Sequence, residues 1–305
     1  MKNILAIIMI FLLCFSATGC DRLSIFNKDS STGVEGDSDE PKPFPVIING
    51  VVIEESPAEI ICLSPALTEI IFEFGEGERI KGKSEYCDFP LDAKELPVIQ
   101  SGRNFEVETI IKRSPDLLLL SSPISEKDRI ALLREEIATV VIPAPRSLQE
   151  FKDIYRVIGL ILNGVFIGAD EGETTFSEIT LACNNPDAFD LGDFVYITEN
   201  MLFATGDTLE SSVLSCFGNN LAKKAKGYVF DKNELLEVQP DIVILNDIYD
   251  AEVLSEDEVL SQLEAVENGR IIFLNNAYFE RPSARIISLI AEMQAQYYDV
   301  NKPIN

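Results

Sequence analysis

The sequence of 305 residues contains no histidine. Histidine is the usual general base, the usual activator of a catalytic serine or cysteine, and the commonest protein ligand of transition metals. Its absence excludes Ser-His-Asp and Cys-His catalysis and disfavours a carrier of free zinc or manganese. A Gly-rich phosphate loop ending in Lys-Ser/Thr and a Gly-x-Ser-x-Gly turn are also missing. We therefore predict that the chain is not an enzyme; a hydrolase that uses carboxylates alone is the remaining catalytic alternative.

Basic residues are scarce, since 25 Lys and Arg stand against 51 Asp and Glu and the formal net charge is −26. A chain this acidic repels a phosphate backbone, which argues against nucleic-acid binding. Hydrophobic residues make up 46% of the sequence, which is enough to bury a sizeable core and excludes wholesale disorder. Because domains usually contain about 100–200 residues, the length favours two lobes.

The beginning of the chain has the features of an export signal. Lys2 precedes an apolar run at residues 4–15, and the small residues 16–19 lead to Cys20. The run is shorter than the about 20 residues that a membrane-spanning helix needs, and small residues directly before a cysteine resemble the lipobox of bacterial lipoproteins. We predict a lipoprotein signal peptide at residues 1–19 and a lipid on Cys20 as the only covalently bound group. Ordinary cleavage that leaves Cys20 free is the alternative.

Residues 20–44 have no periodic apolar pattern and end near Pro41 and Pro43. This composition predicts a flexible tether. Behind a lipidated cysteine, the tether would hold the rest of the chain at a membrane surface in the extracytoplasmic cell envelope, on the periplasmic side where two membranes are present.

Four further cysteines lie in the body of the chain, at Cys62, Cys87, Cys183 and Cys216. Export permits disulfides, and an even number of cysteines is compatible with them. The spacing does not define a pairing, and buried free thiols fit the sequence equally well.

The body alternates strand and helix patterns from residue 45 onward. Asn49-Gly50 between two runs of three β-branched residues is typical of a β-hairpin. Residues 60–63 and 117–120 have the apolar pattern of buried strands, and Ser64-Pro65 predicts the start of a helix. Apolar strands that alternate with helices indicate parallel sheets covered on both faces.

An internal repeat relates two parts of the body. Residues 110–120 reappear as residues 235–245, an offset of 125 residues, and each copy has a helix, a Pro-Asp pair and a buried strand. Because the flanking sequences match as well, the repeat predicts two similar α/β lobes, at residues 45–146 and 186–305.

The segment between the lobes, residues 147–185, has a helical pattern. Ser147-x-x-Glu150 is a capping box, and apolar residues follow with helical spacing until Asn163-Gly164 interrupts them. A helical connection is stiff, so we expect small rocking of the lobes rather than a large hinge closure.

Three segments carry a resemblance to a known family. They are residues 60–70 (IICLSPALTEI), 84–90 (SEYCDFP) and 278–286 (YFERPSARI). The first two resemble the opening of the helical-backbone periplasmic binding proteins that deliver cobalamin, ferric siderophores or haem to ABC importers, and the third is similar to the cobalamin-binding branch. The resemblance implies two Rossmann-like lobes with parallel sheets, a long interdomain helix and a ligand cleft between the lobes.

The resemblance also implies which residues line the cleft. They are mostly aromatic, as is common for large ligands, with core packing as the alternative for each aromatic ring. The implied set is Tyr86, Phe203, Tyr228, Tyr278, Phe279 and Arg281. The guanidinium of Arg281 would bind ligand amides or carboxylates.

The sequence departs from the family pattern because it contains no tryptophan. Cobalamin binders of this kind use several indoles in the cleft, and the positions of two of them hold Gly102 and Ser121 here. The resemblance implies cobalamin or a related corrinoid as the ligand, and the missing indoles leave haem or a ferric siderophore as alternatives.

The family docks on its permease through one carboxylate on each lobe. Glu108 matches the first, whereas the second position holds Asn233, next to Glu234. We assign docking on the ABC importer permease to Glu108 and Glu234; the alternative is that both are ordinary acids at helix starts. We expect a monomer. A lipoprotein that serves as an envelope interaction module without a ligand is the alternative of another class.

Overall fold

The computed structural model describes residues 41–102, 105–185 and 189–302. The predicted signal peptide at residues 1–19, the lipidated Cys20 and the tether up to residue 40 lie outside the described residues. Within the described part, no helix combines the length and apolar character needed to cross a membrane. The chain from Lys42 onward forms one compact unit, so the lobe boundaries stay predictions.

The body begins with the predicted hairpin. Strands β1 (Val46–Ile48) and β2 (Val51–Ile53) pair antiparallel, with Ile47 opposite Val52. Asn49 and Gly50 both have positive φ angles, of 50° and 82°, as a two-residue hairpin turn requires. The hairpin prediction is confirmed.

A five-stranded sheet follows, in the order β5-β4-β3-β6-β7, and all of its pairings are parallel. Its strands are β3 (Ile60–Cys62), β4 (Ile80–Ser84), β5 (Val98–Ile99), β6 (Leu117–Leu120) and β7 (Ala138–Val141). Its helices are α1 (Pro65–Glu73), α2 (Leu91–Lys94), α3 (Val107–Arg113) and α4 (Glu126–Arg134). Helix α1 begins where predicted, with Pro65 in its first turn and the Ser64 hydroxyl accepting from Leu67 N.

The connection starts with α5 (Leu148–Thr175) and continues in α6 (Ser177–Cys183). As predicted, the Ser147 hydroxyl caps α5 by accepting from Glu150 N. The backbone leaves the helical region at Gly164, with φ of 76° and ψ of −173°, which confirms the interruption at Asn163-Gly164.

The two arms of α5 on either side of Gly164 lie against each other. Gly159 and Gly168 approach so closely that a Cβ built on Gly159 would lie 1.9 Å from the Gly168 carbonyl oxygen. The Phe151 ring meets the Phe176 ring at 5.1 Å, and Arg156 Nε reaches Glu173 at 3.3 Å. The helical connection is therefore a folded-back pair of arms rather than a straight rod.

A second parallel sheet has the strand order β11-β10-β8-β9. Its strands are β8 (Asp193–Ile197), β9 (Asn219–Asn220), β10 (Ile242–Asn246) and β11 (Ile271–Leu274). The helices are α7 (Leu209–Leu214), α8 (Leu235–Val238), α9 (Glu252–Glu256), α10 (Glu264–Glu267), α11 (Ala277–Glu280) and α12 (Ile286–Val300). Short 3-10 turns cover Gly77–Arg79, Glu199–Met201, Lys232–Glu234 and Leu260–Gln262.

The internal repeat has a counterpart in hydrogen bonding. Asp116, just before β6, accepts from Ala58 N and Glu59 N at 2.8 Å each, ahead of β3. Asp241, just before β10, accepts from Asp193 N at 2.8 Å, at the start of β8. The Asp residues of the two Pro-Asp pairs thus accept backbone hydrogen bonds at equivalent strand starts in the two sheets.

The buried core is continuous between the two sheets. One cluster includes Ile60 and Leu117 from the first sheet, Tyr155 from α5, and Tyr196 and Ile244 from the second. Separate clusters cover the outer face of each sheet. The four cysteines of the body are free thiols, three of them buried and Cys216 exposed.

Candidate functional site

A cavity of about 510 Å³ lies at the carboxyl ends of β3, β4, β5 and β6. Ligands of parallel α/β sheets bind at this edge, because the loops that follow the strands meet there. The cavity is lined by Leu63, Pro65, Tyr86, Ser101, Gly102, Phe105, residues 120–125 and Asp128. It combines an apolar floor with several hydroxyl groups, which suits a ligand with a hydrophobic body and a few polar substituents.

A second cavity, of about 500 Å³, lies at the corresponding edge of the other sheet. This cavity is lined by residues that follow β8 and β11, by the start of α7 and by the end of the first lobe. They include Arg146, Thr198, Glu199, Asp207, Glu210, Tyr228, Asn276, Phe279 and Glu280. Each lobe therefore carries one cavity at the carboxyl ends of its strands, in the size range of about 300–1,000 Å³ that is typical of ligand pockets.

Within the described part of the chain, three ion pairs join the first lobe to the second. Arg281 Nη1 lies 2.7 Å from Asp88 Oδ1, and Arg146 Nη2 lies 2.8 Å from Asp207 Oδ2. Arg285 Nη1 lies 3.3 Å from Glu69 Oε1. Asp88 lies two residues after Tyr86, which lines the first cavity, and Arg281 lies directly after Glu280, which lines the second. The Arg281–Asp88 ion pair therefore links the rims of the two cavities.

Two carboxylates of α1 hold the loop that precedes α12. Ser283 Oγ donates to Glu69 Oε2 at 2.6 Å, and Ala284 N donates to Glu73 Oε1 at 2.8 Å. The Tyr155 hydroxyl donates to the other oxygen of Glu73. Burial raises the pKa of Glu69 and the pKa of Glu73, because desolvation disfavours the ionised carboxyl group.

Three of the residues expected to line the cleft do line the cavities. Tyr86 is 59% exposed in the first cavity, where its ring is free to meet a ligand. Tyr228 lines the second cavity, and its hydroxyl donates to Glu210 Oε1 at 3.1 Å. Phe279 also lines the second cavity but is 6% exposed and packs against the Tyr196 ring.

The other three lie outside the lining of both cavities. Phe203 is buried in the second lobe, with its ring 5.3 Å from that of Phe230, so core packing accounts for it. The Tyr278 hydroxyl donates to Glu292 Oε1, and the Tyr278 ring lies under the guanidinium of Arg285. Arg281 is occupied by Asp88.

Gly102 and Ser121, at which the sequence resemblance implies indoles in cobalamin binders, both line the first cavity. Apart from its chain neighbours, no described residue has an atom within 4 Å of a Cβ built on Gly102, so the described part of the lining leaves space at this position. The first cavity is therefore less aromatic, and more open, than a cavity with indoles at both places.

The docking candidates are both exposed acids at the start of a helical element. Glu108 lies in the first turn of α3, and Glu234 ends the turn Lys232–Glu234 directly before α8. Asn233 donates to Asp231 Oδ1 at 2.7 Å. The positions of Glu108 and Glu234 are compatible with docking on a permease, and they are equally compatible with ordinary stabilisation of a helix start by an acid.

Several residues of the site were not anticipated from the sequence. The second cavity is lined by Arg146, Asp207 and Glu210, and no sequence pattern relates these three residues to one another. Glu69 and Glu73 carry a signal that could have been used, because they lie four residues apart on a helix whose buried face is otherwise largely apolar. Because burying an unpaired carboxylate costs free energy, a carboxylate within such a face indicates a buried hydrogen-bond or ion-pair partner.

Comparisons with known proteins match this architecture. Residues 60–180 match the model of a family described as periplasmic binding protein. The chain is 24% identical over 279 residues to an uncharacterised ABC transporter substrate-binding lipoprotein of Bacillus subtilis, covering 84% of this chain and 86% of that relative.

Two solved structures from Vibrio cholerae have the same fold. A periplasmic vitamin B12 binding protein aligns with a TM-score of 0.59 and 19% identity, covering 81% of this chain and 98% of that chain. A periplasmic heme binding protein aligns with a TM-score of 0.66 and 16% identity, covering 79% of this chain and 98% of that chain. The predicted two-lobe α/β fold is confirmed, and the comparison with binding proteins agrees with the prediction that the chain is not an enzyme.

Proposed function

We propose that this chain is a periplasmic binding protein, serves as the substrate-binding protein of an ABC importer and captures cobalamin or a related corrinoid between its lobes. The observation that carries the proposal is the pair of cavities, one at the carboxyl ends of each parallel sheet, with the Arg281–Asp88 ion pair joining their rims. Ligand bound there would contact both lobes at once.

The lining supports a bulky ligand with a polar periphery. Tyr86, Phe105 and Phe279 supply aromatic surface, and serine hydroxyls and carboxylates supply hydrogen-bond partners. Haem or a ferric siderophore is the second candidate, favoured by the open space at Gly102 and the hydroxyl at Ser121 where cobalamin binders carry indoles. For either ligand, Glu108 and Glu234 would contact the permease and would affect the rate of encounter and the orientation of docking.

Replacing Tyr86 with alanine should weaken capture of cyanocobalamin about fivefold, since an aromatic contact contributes about 1 kcal/mol beyond its buried area. Binding is measured by equilibrium dialysis of the soluble body, with absorbance of the corrinoid as the signal. Tyr298→Ala is the matched control, because Tyr298 is exposed on α12 and lines neither cavity. Equal losses in the two variants, or no retention of corrinoid, haem or ferric siderophore, would contradict the proposal.

The lipid anchor is tested separately. With Cys20→Ser, the chain should move from the membrane fraction to the soluble fraction and lose incorporation of labelled fatty acid, because the acceptor thiol is gone. Cys216→Ser, which removes an exposed thiol of the body, should change neither readout. A Cys20→Ser chain that still carries label would refute lipidation at this position.

A further inference from the structure

Among the described residues, three arginines pair with carboxylates of the opposite lobe. Arg146 is paired with Asp207, Arg281 with Asp88, and Arg285 with Glu69. A ligand carboxylate could recruit one of these guanidinium groups only by displacing its carboxylate partner. Because each pair joins the two lobes, the displaced contact would also be a contact between lobes.

Carboxylates predominate in the lining of the second cavity. Glu199, Asp207, Glu210 and Glu280 line it, and Arg146 is the cation among its described lining residues. Glu210 is 7% exposed and accepts from the Tyr228 hydroxyl. Within the same cavity, Glu280 accepts from Asn276 Nδ2 at 3.2 Å. After the Arg146–Asp207 pair is formed, three carboxylates remain without a cation partner in the lining.

The first cavity has no cation among its described lining residues. Asp128 lies there, accepting from the Ser125 hydroxyl at 2.6 Å, and the other polar side chains of the lining are hydroxyls. Arg103 follows Gly102 in the chain and lies outside the described residues.

These charges discriminate between ligands that fit the same space. Haem propionates and catecholate iron complexes carry negative charge, and a cavity lined by carboxylates repels them at a low effective dielectric constant. Corrinoid amides donate hydrogen bonds, which carboxylates accept, and iron complexes of aliphatic hydroxamates are neutral or cationic. From the cavities and their ion pairs, we propose that the cleft selects a neutral or cationic metal chelate and rejects an anionic one. The inference rests on the proposed function and names the ligand class of the same site.

The test is a binding titration of the soluble body with four probes of different charge. They are cyanocobalamin (neutral), ferrioxamine B (cationic), haemin (anionic through its propionates) and the anionic iron complex of a tricatecholate. We expect the tightest probe to be neutral or cationic and to bind at least about tenfold more tightly than either anionic probe, with the gap narrowing as ionic strength rises. Tightest binding of an anionic probe would overturn the inference and leave the proposed function standing. If the body retains none of the four, both fall.

Charge variants separate a local effect from net charge. Glu199→Lys combined with Glu280→Lys should raise the affinity for the anionic probes about tenfold, because both exposed carboxylates line the second cavity. Glu264→Lys combined with Glu267→Lys changes the net charge equally at two exposed carboxylates of α10 that line neither cavity, and it should have no such effect. An equal gain in the control variant would overturn the inference.

Discussion

Replacing Gly168 with alanine should lower the free energy of unfolding of the body by about 3 kcal/mol. In an ordinary helix the same change stabilises by up to about 1 kcal/mol. Here the added Cβ would lie 2.2 Å from the carbonyl oxygen of Gly159 and 2.8 Å from the Cα of Leu160. These are backbone atoms, so a change of side-chain rotamer cannot relieve the overlap, and the two arms of α5 would have to move apart.

The measurement is urea unfolding followed by circular dichroism. Thr174→Ala is the matched control, because Thr174 lies on the same arm and is exposed. This control should stay within about 0.5 kcal/mol of the parent chain. A stabilised Gly168→Ala chain would show that the arms do not pack closely and that the connection is one extended helix after all.

Replacing Glu69 with alanine should cost about 3 kcal/mol of unfolding free energy, because it leaves a buried hydroxyl and a guanidinium without their acceptor. Glu69 is 2% exposed and accepts from Ser283 Oγ and Arg285 Nη1. Both donors belong to the other lobe, so the loss should appear as a looser contact between lobes as well as a lower stability. Urea unfolding measures the stability, and hydrogen exchange of residues 283–286 measures the contact between the lobes.

The contribution of Glu69 and Glu73 to the free energy of unfolding decreases as pH rises. Burial raises the pKa of Glu69 above its ordinary value, with Ser283, Arg285 and Arg281 opposing the rise, and burial also raises the pKa of the neighbouring Glu73. The folded chain therefore binds these protons more tightly than the unfolded chain. The stability from both groups is fully present below the unfolded pKa of about 4.3 and is lost as pH rises through the folded pKa.

Glu69→Gln should therefore flatten the fall in stability on going from about pH 4 to pH 7. Glu95→Gln is the control, because Glu95 is exposed in the same lobe. Parallel pH profiles for the parent chain and Glu69→Gln would contradict the assignment of this fall to Glu69.

Local patterns in the sequence predicted much of the fold. The hairpin at Asn49-Gly50, the helix start at Ser64-Pro65 and the apolar strands depend on neighbours within a few residues, and these predictions are confirmed. The interruption at Gly164 was predicted as well. The reversal of the chain there was not, because it depends on close packing between Gly159 and Gly168 across the turn.

The site was only partly predictable, for a related reason. Tyr86 and Tyr228 were assigned to the cleft and line its cavities. The ligand contact of Arg281 stays a prediction, and the structure adds that its guanidinium donates to Asp88, which is 193 residues away in the chain. No periodic pattern relates residues at that separation, so a side chain's partner on the other lobe follows only from the three-dimensional arrangement.

The buried cluster that runs from Ile60 through Tyr155 to Ile244 has a consequence for how the chain melts. Apolar side chains shared by both halves cannot be exposed in one half alone, so heating should produce a single cooperative transition. Any molecule held in the cleft would raise that one melting temperature. Differential scanning calorimetry could therefore screen colourless candidates for cargo as readily as pigmented ones.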